Sequence, residues 1–146
     1  MVIKTLFVTS DRLVSRLIRA VTDEPVSHCA IQVGEFVIHS SFLGVKIESI
    51  YSFNKQNRVI KTLEFEVEPK QFKQAIARLE GKGYDFGALF YLLMRYIIPW
   101  VPKINLWQTS GMYLCTEFVT QLLTQKEDSL VTPYKLYLNL LNSENK

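Results

Sequence analysis

The chain reads as α+β. A short β-rich run and a helical pattern open it, several strand-like runs joined by tight turns follow, and helical patterns fill most of the second half. That order places an antiparallel sheet early and helices late. At 146 residues the expectation is one domain, 1–146.

Ile3–Val8 is the first β-rich run. Asp11–Val21 has helical spacing, with Leu13, Leu17, Ile18 and Val21 on one face and Ser10 or Asp11 able to cap it. Thr22–Pro25 is a loop. Val26–Val33 and Phe36–Phe42 are strand-like and flank Gly34-Glu35, a two-residue hairpin turn. Val45–Ile50 and Val59–Val67 read as further strands. In the second, Leu63, Phe65 and Val67 alternate with Glu64 and Glu66. Pro69 opens a helix that runs to about Glu80 with Phe72, Ile76 and Leu79 on its apolar face, and Gly81 and Gly83 close it. Asp85–Ile98 is a very apolar helix. Pro99–Ser110 is an irregular connection carrying Trp100 and Trp107. Leu114–Gln125 and Tyr134–Leu141 are the last helices.

Composition excludes several function classes. Apolar residues make up 48% of the chain, enough for a folded core. A net charge of +3 with no Lys/Arg run gives no ground for nucleic-acid binding. Two cysteines, Cys29 and Cys115, are too few for a secreted disulfide scaffold, and a single bridge between them is the less favoured reading. No CxxC or His-rich spacing points to zinc, so neither a metal nor a cofactor is expected. The N-terminal apolar run stops at Asp11-Arg12, unlike a signal peptide. The longest apolar stretch, Phe86–Val101, contains Arg95 and Pro99 and falls short of the about 20 residues that a membrane span needs. A soluble, cytoplasmic protein is the expectation.

The hairpin carries the only two histidines. With Gly34-Glu35 as the loop, Val33 meets Phe36, Ile31 meets Ile38 and Ala30 meets His39. Alternation puts Cys29, Ile31, Val33, Phe36 and Ile38 on an apolar face, and His28, Ala30, Gln32, Val37, His39 and Ser41 on a more polar one. His28 and His39 are then diagonal neighbours about 7–8 Å apart at the backbone, within reach of each other's rings. Cys29 reads as a buried small hydrophobe. Cys115 opens an amphipathic helix whose buried stripe is Phe118, Val119 and Leu122, a position where the helix dipole favours a thiolate. A thiol needs a base and the base needs an orienter. Cys115, His28 and His39 fit those roles, with the Cys115 backbone N–H as an oxyanion donor.

These residues carry a resemblance. SHCAIQVGEFVIHSS is similar to the "SHVGIYIG…xIHA" hairpin of NlpC-type papain-like cysteine hydrolases, and LCTEFV to their "xCSELV" nucleophile helix. The Cys helix here follows the His strands, which is the order of the circularly permuted branch (YiiX-like and lecithin:retinol acyltransferase-related proteins). FVTSDRLVSRLIRAVTDEPVSH is similar to that branch's opening strand and helix, GYDF to its "YDxxG" segment, and VTPYKLY to its closing "TPxDL". The resemblance covers most of the chain. It implies a permuted papain-like fold, with the antiparallel sheet packed against the helix that carries the nucleophile. It also implies Cys115 as nucleophile, His28 as base, His39 as third member, and supporting places for Tyr84 near the pocket and Glu117 in the Cys helix. Cys29 departs from the pattern, standing where Val is usual.

The implied reaction is attack on an amide, ester or thioester through an acyl-enzyme, as an amidase, peptidase or lipid/acyl hydrolase. Two alternatives stand beside it: an acyltransferase on lipid substrates, and a binding or inhibitory module that keeps the fold without turnover. The expected partner is an acyl, lipid or peptide-like small substrate. The aromatic stretch 86–107 adds an expected peripheral contact with a membrane surface.

Overall fold

The computed structural model describes residues 1–41, 43–79, 82–98, 100, 112–124 and 131–144. Among them lie a five-stranded antiparallel sheet and six helices, an α+β arrangement. The first strand, β1 (Val2–Thr9), leads into α1 (Leu13–Thr22). Then come β2 (His28–Val33), β3 (Phe36–Ser41) and β4 (Gly44–Ser49), followed by α2 (Ile50–Gln56), β5 (Arg58–Glu66) and α3 (Pro69–Leu79). The remaining elements are β6 (Gly83–Tyr84), α4 (Phe86–Ile97), β7 (Met112–Tyr113), α5 (Cys115–Thr124) and α6 (Pro133–Glu144).

The large sheet has the order β4-β3-β2-β1-β5. The β2–β3 register pairs Val33 with Phe36 and Ile31 with Ile38, as the two-residue loop dictates. Gly34 supplies the positive φ (56°) that such a loop needs at its first position. The β3–β4 turn depends on Gly44. Its φ is 104°, and a Cβ there would lie 2.8 Å from the Lys82 carbonyl oxygen, so a side chain would force β4 away from the segment leading into β6.

One face of the sheet holds the main core. Ile3, Phe7, Cys29, Ile31 and Ile38 pack there against Phe72 and Leu79 of α3 and against Cys115, Phe118, Val119 and Leu122 of α5. Burial of each large apolar side chain contributes about 1.5–3 kcal/mol. The other face carries a smaller cluster of Leu6, Val8, Ala30, Val37 and Phe53.

Several elements differ from the sequence-based expectation. The buried side of α1 is Ser15, Ile18 and Thr22, while Leu13 (79% exposed) and Leu17 (50%) face outward. Ser15 turns inward because its hydroxyl hydrogen-bonds that of Ser27. Neither Ser10 nor Asp11 caps this helix. Arg12 occupies the N-cap position without a side-chain bond, and the Ser10 N–H goes to Ser15 Oγ at 3.0 Å. Ile50 begins α2 and is not the end of a strand, because Ser49 caps the helix by accepting the Ser52 N–H at 3.2 Å. Gly83 lies in β6, which pairs in parallel with β7. The irregular connection expected over 99–110 lies outside the described residues except for Trp100, which is exposed.

Candidate active site

Three elements converge on one cluster: the first residue of β2, the middle of β3 and the start of α5, which packs on both strands. They bring His28 against His39 and Cys115 into the core beside Cys29, with His28 near enough to act on the Cys115 thiol. A register shift in the β1–β5 ladder between Phe7 and Val8 lies beside the cluster, since Val8 pairs with His28 on the other side.

Cys115 is 5% exposed. Cys29 and His28 are the groups that act on its ionisation. The Cys29 thiol hydrogen bond is the largest influence and holds the Cys115 thiol well below its ordinary range. Burial opposes it, and the charge and hydrogen bond of His28 add to it. Cys29 shifts the other way: burial pushes it up, and so do the hydrogen bond to Cys115 and its charge. Of the two sulfurs, Cys115 is the one shifted toward the thiolate and Cys29 toward the thiol. The position of each supports this, because Cys115 begins a helix beside an imidazole and Cys29 lies within a strand.

His28 Nε2 lies 3.1 Å from His39 Nδ1, with the two rings edge-to-face at 75°. The opposite nitrogen of His39, Nε2, lies 3.0 Å from Glu48 Oε1. Glu48 Oε2 accepts from the Ser52 hydroxyl at 2.7 Å, and Lys46 Nζ reaches Oε1 at 3.2 Å. The Phe53 ring packs edge-on against His39 with centroids 5.1 Å apart. His39 is thereby buried and held neutral. Desolvation is the largest cause, the neighbouring His28 adds to it, and the Glu48 carboxylate only partly offsets both, so that its pKa falls to about 4. Burial alone would raise the Glu48 carboxyl. The hydrogen bonds from Ser52, Lys46 and His39 outweigh that and leave it below the usual value.

Glu117, in the first turn of α5, accepts the Leu114 N–H at 3.0 Å, a half capping box that fixes the helix start beside Cys115. Tyr84 belongs to β6 and pairs with Tyr113 through the backbone; its side chain lies outside the described residues. A cleft of about 560 Å³ opens on the imidazoles, with Arg12, Ser27, His28, His39, Lys46 and Glu48 among its walls. Among the described residues, no group of three or more His, Cys, Asp or Glu side chains is arranged to hold a metal ion.

The sequence reading missed Glu48, Ser52 and Phe53. Extending the register count through the next turn finds the first of them: Ser41 pairs with Gly44 and His39 with Lys46, so Glu48 falls one diagonal step from His39 on the same face. Ser52 and Phe53 belong to α2, which the apolar pattern did not reveal.

Comparison with models of known protein families and with curated proteins finds no match to this chain.

Proposed function

We propose that this protein is a cysteine-dependent hydrolase or acyltransferase of the permuted papain-like, NlpC type. Its substrate would carry an amide, ester or thioester. The observation that carries the reading is Cys115 at the start of α5, its thiol lowered in part by His28, whose Nε2 is 3.1 Å from His39. The chain order also supports it, because both histidine strands precede the cysteine helix that packs on them.

In this reading Cys115 and His28 are the catalytic residues. His28 removes the thiol proton, and the Cys115 sulfur attacks the carbonyl carbon. The developing oxyanion takes a hydrogen bond from the Cys115 backbone N–H, one of the donors that a helix start leaves without an intrahelical partner. Collapse of the tetrahedral adduct expels the amine, alcohol or thiol, which leaves with the proton held on His28. Water or an acceptor alcohol then gives a proton to His28 and attacks the thioester, releasing product and regenerating the thiol. Hydrolysis and transfer differ only in what reaches the thioester.

An acyl or lipid substrate is supported by α4. Phe86 (55% exposed), Phe90 (52%) and Ile97 (62%) share one side of that helix, and Trp100 beyond it is 85% exposed. Among the described residues, no helix is long and apolar enough to cross a membrane.

The test is the rate of iodoacetamide labelling at Cys115 against pH, read by intact mass, in the wild type and in His28→Ala. Labelling that persists below about pH 7 and slows in the mutant is the expected result. A wild-type midpoint near about 8.5 that His28→Ala leaves in place would refute the catalytic pair.

A further inference from the structure

The hydrogen-bond chain His28–His39–Glu48 has a direction, and donor counting fixes it. A neutral imidazole offers one N–H and one lone pair, whereas a carboxylate only accepts. Glu48 is held as a carboxylate by three donors: the Ser52 hydroxyl at 2.7 Å, Lys46 Nζ at 3.2 Å and His39 Nε2 at 3.0 Å. His39 must therefore carry its proton on Nε2. Burial beneath Phe53 and the nearby His28 keep that ring neutral, so its Nδ1 is a bare lone pair. The 3.1 Å contact between His39 Nδ1 and His28 Nε2 is then donated by His28. With Nε2–H committed to His39, the nitrogen that exchanges a proton with sulfur is His28 Nδ1.

We propose that Glu48 is a positioning residue that sets this direction, fixing His39 as the Nε2–H tautomer so that it accepts from His28 and leaves His28 Nδ1 to serve Cys115. The proposal rests on the Cys115–His28 pair being the catalytic one. The reverse direction would fail. A His39 protonated on Nδ1 would donate to His28 Nε2, and a neutral His28 would then point an N–H at the sulfur and have no lone pair for its proton. The Glu48 arrangement also serves the charged state. Once His28 has taken the thiol proton, its Nε2–H faces a lone pair, and the His39 N–H beyond it ends on a carboxylate. Each hydrogen bond in the series polarises the next in favour of the imidazolium. Lys46 and Ser52 act one step further out, holding Glu48 ionised and oriented.

The test uses the full chain labelled with nitrogen-15 and reads the imidazole resonances near pH 7, alongside the alkylation profile of Cys115. In the wild type, His39 should show a protonated Nε2 and a bare Nδ1. Glu48→Met removes the acceptor, so the His39 Nε2–H proton should move upfield, and alkylation of Cys115 at pH 6 should slow on the order of tenfold. Glu48→Asp keeps a carboxylate and should recover most of both signals. If the methionine variant does not fold, the aspartate variant and the wild-type tautomer still decide the matter. A wild-type His39 protonated on Nδ1 overturns the proposal. So does a folded Glu48→Met that leaves the imidazole resonances and the alkylation profile unchanged, because a carboxylate that only braces β4 would alter stability and neither of those. The tautomer readout needs no turnover. A wild-type Cys115 that alkylates like a free thiol while His39 keeps its Nε2 proton refutes the hydrolase reading and not the ordering.

Discussion

The start of α5 and the second residue of β2 each present a buried cysteine, and each influences the ionisation of the other. The side chains are chemically identical and both are nearly removed from water, yet Cys115 is pushed toward the thiolate and Cys29 toward the thiol. Burial raises both, so burial does not decide the difference. What differs is the neighbours. Both belong to the main core, but Cys115 begins a helix and has His28 acting on it, whereas Cys29 lies within a strand. The interaction between the two thiols is the largest influence on Cys115, and it moves the pair in opposite directions. The direction in which each thiol shifts follows its neighbours and not its depth.

The largest expected effect is that of Cys115→Ala. It should remove labelling below about pH 7 and lower turnover by at least about 10³-fold without unfolding the chain, as intact mass, activity and circular dichroism would show. If Cys29 then labelled rapidly at low pH, the asymmetry between the two cysteines would be refuted. His28→Ala should come next, with a loss on the order of 10²–10⁴-fold in turnover and an alkylation midpoint moved toward that of a free thiol. Substitution of His39 by Asn should cost less than this, since it removes an orienter and keeps the base.

Cys29→Ala sharpens the comparison. It deletes the thiol donor while leaving the imidazole and the helix start in place. The Cys115 alkylation midpoint should rise, and urea unfolding should show a destabilisation of about 1–2 kcal/mol from lost core contacts. An unchanged midpoint would mean that His28 alone sets the thiolate.

The effect most remote from the two cysteines is on stability against pH. His39 is neutral in the fold with a pKa of about 4, below the 6.5 of an unfolded histidine. The unfolded state therefore binds more protons between those values, and stability falls as pH drops from about 6.5 toward 4. The total is roughly 3 kcal/mol at most. Glu48, also lowered in the fold, adds a loss below its ordinary value of 4.5. Urea midpoints at pH 7, 5.5 and 4.5 should decline in the wild type, and His39→Asn should flatten the upper part of that decline. Equal slopes in both proteins would mean that His39 is not held neutral.

The hairpin shows how far the sequence can be read. Two residues of loop fix the register, register fixes the faces, and so His28 and His39 could be paired from the letters alone. The same count carried through the Ser41–Gly44 turn reaches Glu48, so that residue was legible too, one step further along. Ser52 and Phe53 were not. Their helix is seven residues long with one fully buried side chain, too short for a periodic signal. The face of α1 was misread for a related reason. Its leucines have the right spacing for a core stripe, but the Ser15 hydroxyl is bonded inward to Ser27, and the leucines face solvent.

The sequence by itself determined the α+β arrangement, the hairpin register, the buried stripe of α5 and the candidate trio of Cys115, His28 and His39, because each follows from local spacing and turn chemistry. Only the tertiary structure decided that the Cys29 thiol rests against Cys115, that Phe53 seals His39, and that Ser52 and Lys46 hold Glu48 against it. The Cys29–Cys115 and Phe53–His39 contacts join separate elements, while Lys46 and Ser52 reach Glu48 from within β4 and from the adjoining α2. Their ionisation depends on distances and desolvation, quantities that no local pattern of residues contains.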